Sequence, residues 1–539
     1  MASEERIGGS ATRILILGSA MVLMIGIAAF LAVFVITRQG NLAWDDAAYL
    51  EQGLRLARLV EERGALAVVE VLREGPKPPL LAAWIEAVAL VVGRERVMAV
   101  ITLAAVVPFV LLSASVAAIA RRRFGLPATP VAVLLLGASP LALSYGAKVM
   151  VETFMALWVL WAYDGAAQTL ERPSRRNAMV LGAALGAAAM TKFTVVLLLT
   201  APMIGFAAAL ARREVPRVVK ARVWLWILVP ALAIAAPWYA EHGESAVRFA
   251  LRASQYNLLA EGRADSTPIG HRLMGLGEDL AGWPALGVVA ALAVVALRSS
   301  AGRRDDSSES RKPNVAFERI TLLGLGCGAA ILMFPPHFDA RFLLPAWPAL
   351  AVCAAGWIRA SIAEAPAIGK GLVYAALGVG LVSSCLSLHR EPRTTTYWAA
   401  GQLIDDLVDR CGIRTLGNIG DGPDWNVCKT GFLNELRADP ASCFVMYDLS
   451  RCPAEELVRR IGRLDALVVL DRNALPPVLL IGAPGLNRAY DVLDTALAGD
   501  RFERIEPRVS VDLPPLAIYV SRQEREPVEA RGPSDGHRR

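Results

Sequence analysis

ILILGSAMVLMIGIAAFLAVFVI, residues 14–36, is an unbroken apolar run, and eight residues beyond it stands Trp44-Asp45-Asp46-Ala47-Ala48-Tyr49. At about 1.5 Å of rise per residue, a helix over this run is long enough to cross the roughly 30 Å hydrocarbon core of a bilayer. It is too long for a signal-peptide core, and no small-residue cleavage site follows, so it reads as a retained first span. The acidic pair then falls just outside the membrane. Similar apolar runs recur to about residue 390, which makes the chain a polytopic α-helical membrane protein of about eleven transmembrane helices.

Composition agrees. Of 539 residues, 55% are hydrophobic and 20% charged, and the mean hydropathy is +0.44, outside the range of soluble globular chains. The net charge of +6 and pI near 9.0 do not mark a nucleic-acid surface. The basic residues sit in short loops between apolar runs, where they report topology.

Short loops rich in Lys and Arg stay cytoplasmic. Such clusters occur at Arg121-Arg122-Arg123, at Arg172, Arg175 and Arg176, from Arg212 to Arg222, from Arg298 to Arg319, and at Arg359 and Lys370. Keeping all of them inside requires outer turns at Tyr145–Glu152, at Thr191-Lys192-Phe193-Thr194 and at Pro335–Arg341. Leu80–Val92 is apolar but short and contains Glu86, so it reads as an interfacial helix, and Met98–Ile119 becomes the second span. The N-terminus lies inside.

The expected organisation is a membrane domain at residues 1–390, with 38–96 as its first extracytoplasmic loop. A soluble extracytoplasmic α/β domain follows at 391–522, and a disordered charged tail at 523–539. In the soluble part, a helix near Ala399–Cys411 alternates with strands near Arg414–Ile419, Phe444–Tyr447 and Ala466–Leu470. Gly420-Asp421-Gly422-Pro423 lacks the G-x-G-x-x-G spacing of a dinucleotide loop. Cys327, Cys353 and Cys385 lie in apolar runs as small core residues. Cys411, Cys428, Cys443 and Cys452 in the soluble part are able to form two disulfides, in three connectivities, if the compartment is oxidising.

The topology gathers ionisable residues on the outer side. Asp45 and Asp46 follow the first span, and two adjacent carboxylates raise one another's pKa, which suits a general base for a hydroxyl. The plain alternative is helix N-capping by Asp45. Lys77, in Pro76-Lys77-Pro78-Pro79, is held by rigid backbone at headgroup level, where it fits a lipid phosphate or serves as an interfacial lysine. Lys192, isolated between apolar runs, faces a polar cavity. Glu152 is a second acidic group or a carboxylate complementing a helix N-terminus. Arg341 binds phosphate or pairs with Asp339. A divalent cation, Mg or Mn, held by Asp46 with Glu152 is a further possibility.

Taken in order, seven stretches resemble the GT-C membrane glycosyltransferases, in the branch of protein O-mannosyltransferases and bacterial lipid A aminoarabinose transferases. They are W-D-D-A-A-Y at Trp44–Tyr49, K-P-P-L at Lys77–Leu80, R-R-R-F-G at Arg121–Gly125, V-E-T-F at Val151–Phe154, M-T-K-F at Met190–Phe193, A-P-W-Y at Ala236–Tyr239 and R-F-L-L-P-A-W-P at Arg341–Pro348. The resemblance covers about the first 360 residues and rests on the shared order of motifs.

It implies inverting transfer of a sugar from a polyprenyl-phosphate donor to a glycan, lipid or protein acceptor on the extracytoplasmic face, and the Ala-, Arg- and Val-rich composition points to a bacterial plasma membrane. Asp45 would be the base; Asp46, Tyr49, Lys77, Glu152, Lys192 and Arg341 would bind acceptor or donor, with the three cations on the donor phosphate. Asp46 stands where the family commonly has Glu, Glu152 where it often has Asp, and Phe193 where Gly is common. Two other readings compete. A transporter or flippase of lipid-linked glycans would show broken helices and mid-membrane charges; a structural or sensory protein would place its work in the soluble domain.

Overall fold

The computed structural model describes residues 2–37, 44–64, 77–260, 312–333, 340–362, 367–390, 396–419, 442–445, 454–471, 484–498, 501–506 and 516–522, with positions 279, 282, 433 and 437. The opening apolar run lies in α1, Ala2–Thr37. Its Ile14, Leu15, Val22 and Ile25 are more than half exposed, as expected of a helix whose solvent is lipid.

Helices α2, Trp44–Arg63, and α3, Leu80–Val92, form a parallel pair. Tyr49 meets Lys77, Gly53 meets Ile85 and Glu61 meets Arg94, so contacts advance together along both helices. A Cβ at Gly53 would come within 2.5 Å of Ile85 Cβ; its absence allows the close crossing. Both N-termini therefore point to one end of the molecule. Because α2 begins at Trp44, Asp45 and Asp46 stand within its first turn, and Asp45 is not the residue before the helix that the N-capping alternative requires.

The next helices run between two ends. They are α4 (Val97–Phe124), α5 (Ala128–Gly137), α6 (Pro140–Gly146), α7 (Val151–Glu171), α8 (Arg175–Ala189), α9 (Val196–Arg212) and α10 (Arg217–Ala260). After them come α11 (Lys312–Met333), α12 (Trp347–Ile362) and α13 (Ala367–Arg390).

At one end Arg123 donates to Asp164 and Glu171, each at 2.8 Å, and Arg122 also reaches Asp164. Asn314 donates to the Arg123 carbonyl at 2.8 Å and Arg213 to the Glu171 carbonyl at 3.2 Å. Arg359 lies against Gly125. The basic segments at Arg122–Arg123, Arg213 and Arg359, with Asn314, thus meet at one end.

Glu152 precedes Asp164 by twelve residues of α7, so it lies about 18 Å away along the helix axis. The chain between Arg123 and Glu152 must cover that distance. It does so as α5 and α6, which meet at a bend of 77°. Ser139 makes the join, its hydroxyl accepting from Ala142 N at 3.1 Å. The pair is therefore a broken crossing and not a loop returning to its starting end.

By length and composition alone, five helices among the described residues suffice to cross a membrane, or six with the bent pair. The expected figure of about eleven includes shorter and more polar helices such as α7, α8 and α9. Of these, α7 is largely buried by its neighbours. Tyr163, almost fully buried in α7, donates to the Leu198 carbonyl of α9 at 2.7 Å.

The C-terminal part contains a five-stranded sheet of order β2-β1-β3-β5-β4, with β1 Thr415–Ile419, β2 Ser442–Val445, β3 Ala466–Leu470, β4 Phe502–Ile505 and β5 Leu516–Ser521. Strand β1 is parallel to β2 and β3, whereas β5 is antiparallel to β3 and β4. Helices cover both faces. Leu403, Ile404 and Leu407, from α14 (Thr396–Asp405) and the π-turn that continues it, belong with Leu416, Ala466 and Val468. Leu457 and Ile461 of α15 (Ala454–Ile461) and Ala489 and Val492 of α16 (Pro484–Leu497) belong with Ile419, Leu467 and Val469. Two-sided cover explains why β3 is buried at every position and reads as a continuous apolar run.

Cys411 is a free, buried thiol, which removes the two-bridge arrangement allowed by the sequence. Cys428, Cys452, Gly420–Pro423, His337, Asp339 and residues 523–539 lie outside the described residues, as does the side chain of Cys443.

Candidate active site

The end opposite the Arg123 network collects residues from six separate stretches. Asp46, in the first turn of α2, is fully buried, and Tyr49, one turn on, is nearly so. Lys77 enters from the segment before α3, its Nζ 4.8 Å from the centre of the Tyr49 ring. The backbone joins this pair to the next motif, as Leu80 N donates to the Met190 carbonyl at 3.0 Å.

Two residues later the extended backbone of Lys192 turns its side chain toward α7, where Nζ lies 2.7 Å from Glu152 Oε1. The ring of Phe342 takes another side of the ammonium at 5.0 Å, and Arg341 lies over the same ring at 5.2 Å. Tyr239 closes the group from α10 by donating to the Ala189 carbonyl at the end of α8, at 2.9 Å.

The site thus joins Asp46, Tyr49, Lys77, Glu152, Lys192 and Arg341. Asp45 occupies the same first turn as Asp46, and its side chain lies outside the described residues. Helices α2, α3 and α7 all begin here. Their N-termini carry partial positive charge, which offsets buried carboxylates and favours anionic groups nearby.

Glu152 Oε1 is occupied by the Lys192 ammonium. Among the described residues no group of three His, Cys, Asp or Glu side chains converges.

One feature escaped the sequence reading. Beside Lys192 an apolar groove of ≈ 610 Å³ opens between α8, α9 and α10, lined by Leu185, Ala189, Phe193, Val196, Leu199, Met203 and Tyr239 among others. Its residues are scattered over three helices. Only Phe193, replacing a common Gly, stood out in the sequence as a departure.

The fold is that of a solved membrane glycosyltransferase, and the apolar helices are those of a multi-pass membrane protein. Over 95% of this chain and 98% of the other, it aligns with the crystal structure of ArnT from Cupriavidus metallidurans in the apo state, at 13% identity and a TM-score of 0.57. The same protein bound to undecaprenyl phosphate aligns over 93% of this chain and 97% of its own, at 12% identity and a TM-score of 0.57.

Residues 76–240 match the family described as dolichyl-phosphate-mannose-protein mannosyltransferase. That interval starts beside Lys77, ends beside Tyr239 and contains five of the seven motifs. Among curated protein sequences none matches significantly. Fold and family match together bear out the resemblance to the branch of GT-C glycosyltransferases that includes ArnT and the protein O-mannosyltransferases.

Proposed function

We propose that the protein transfers a sugar from a polyprenyl-phosphate donor to an acceptor hydroxyl on the extracytoplasmic face of a bacterial inner membrane. The observation that carries this reading is the convergence of Asp46, Tyr49, Lys77, Glu152, Lys192 and Arg341 at the end remote from the basic loops. Basic loops belong inside, so the site belongs outside. The fold shared with a protein crystallised with undecaprenyl phosphate supports the donor class.

In this reading Asp45 removes the proton from the acceptor hydroxyl as its oxygen attacks the anomeric carbon. The bond from that carbon to the phosphate oxygen breaks on the opposite face, so configuration inverts. Charge growing on the departing lipid phosphate is met by Lys77 and Arg341 and by the converging helix N-termini. The prenyl chain lies in the apolar groove beside Phe193, and the donor reaches the site from within the bilayer.

The test is transfer by purified, reconstituted protein from a panel of polyprenyl-phosphate sugars to envelope acceptors. Asp45→Asn is expected to lower kcat by about 10²–10⁴-fold while leaving the thermal transition in place. Absence of transfer with every donor, together with normal function of the Asp45→Asn variant in cells, would sink the enzymatic reading.

A further inference from the structure

The geometry of Lys192 differs from that of a phosphate-binding lysine. Its ammonium is paired at 2.7 Å with Glu152, a fully buried carboxylate, and lies against the Phe342 ring. Its charge is therefore already balanced inside the protein. Glu152, in turn, uses only one of its oxygens. Oε1 accepts from Lys192, whereas the buried Oε2 has no hydrogen-bond partner among the described residues. A buried carboxylate oxygen without a donor is costly, and the cost is relieved when a ligand supplies one. The Lys192 side chain is 20% exposed, so the pair lies at the margin between protein and open space.

We propose that Lys192 is a positioning residue that holds the Glu152 carboxylate in place, and that Glu152 Oε2 accepts a hydrogen bond from a hydroxyl of the transferred sugar. The inference rests on the donor reading above. It assigns Lys192 to the sugar side and leaves the phosphate to other cations. It also names a substrate class: the carboxylate is already neutralised, so a neutral hydroxyl fits at Oε2 better than an ammonium substituent, which would need an unpaired anion.

The experiment compares wild type, Lys192→Met, Lys192→Arg, Glu152→Gln and the double variant Glu152→Gln/Lys192→Met, all full length and reconstituted. Two quantities are read: binding of bare polyprenyl phosphate, which has no sugar, and kcat/KM for transfer. Bare lipid phosphate is expected to bind Lys192→Met within about twofold of wild type. Transfer should fall by roughly ten- to a hundredfold in Lys192→Met and in Glu152→Gln. The double variant should be no worse than the singles, because the two residues act as one unit, and Lys192→Arg should recover most of the rate.

The double variant carries no unpaired buried charge, so it remains informative if Lys192→Met fails to fold. Loss of bare-phosphate binding in Lys192→Met, or single losses that multiply in the double variant, would overturn the assignment. So would faster transfer from amino-sugar donors than from their hydroxyl counterparts. Failure of wild type to bind any polyprenyl phosphate would instead refute the donor reading itself.

Discussion

At Glu86, burial sets the chemistry. This side chain is only 8% exposed in the apolar helix α3, and desolvation pushes its carboxyl above the ordinary value of 4.5. The folded protein then holds a proton that the unfolded chain releases, so stability falls as pH rises from 4.5 through the folded-state value. Glu86→Gln removes that dependence. Its gain in Tm over wild type is expected to be larger at about pH 8 than at about pH 4, and an equal difference at both would refute the assignment. Glu152 and Lys192 show the limit of reading residues singly. Each was legible as an expensive charge among apolar neighbours, but they lie 40 positions apart and nothing local to either records the pairing.

At the level of elements, small residues set how closely helices approach. Gly182 and Gly186, four apart on α8, face α10. A Cβ at Gly182 would overlap the Ile227 carbonyl oxygen, and one at Gly186 would lie 2.9 Å from the Ala231 carbonyl oxygen. Backbone contact of this kind is how helices associate where lipid removes the hydrophobic drive between them. Gly182→Ala is expected to cost about 1–3 kcal/mol through overpacking, seen as a lower Tm in detergent; an unchanged Tm would show that α10 gives way freely. Because the C-terminus of α8 leads into Lys192, transfer should weaken along with stability. The apolar runs were evident from hydropathy, but the parallel pairing of α2 with α3 was not, since no local signal records the direction in which two short helices lie together.

For the whole molecule, the site end depends on the opposite end. Arg123 and Asp164 have side chains only 3% and 1% exposed, and with Glu171 they tie α4 to α7, while Asn314 and Arg213 bring in further segments. Removing Asp164 takes from the buried Arg123 one of its two carboxylates and leaves it Glu171 alone, and breaking a buried ion pair in this way is strongly destabilising. Asp164→Ala is expected to destabilise by about 3–5 kcal/mol, whereas Asp164→Asn, which keeps the shape and one acceptor, should lose less. Thermal melting of the two variants checks the order, and equal losses would show that the carboxylate charge is not what holds this end.

The opening run at residues 14–36 and the loop charges were enough to determine that this is a membrane protein with two unlike ends, because hydropathy and positive charge act on each segment independently of the rest. The order of the short motifs along the chain was likewise legible, and it carries the resemblance to GT-C glycosyltransferases. Only the tertiary structure decided which charges meet. It placed Lys77 over Tyr49, engaged Lys192 with Glu152 rather than leaving it open, and formed a groove from three helices. Pairing and cavity shape are properties of packing between segments distant in the chain, and packing is where local pattern carries no information.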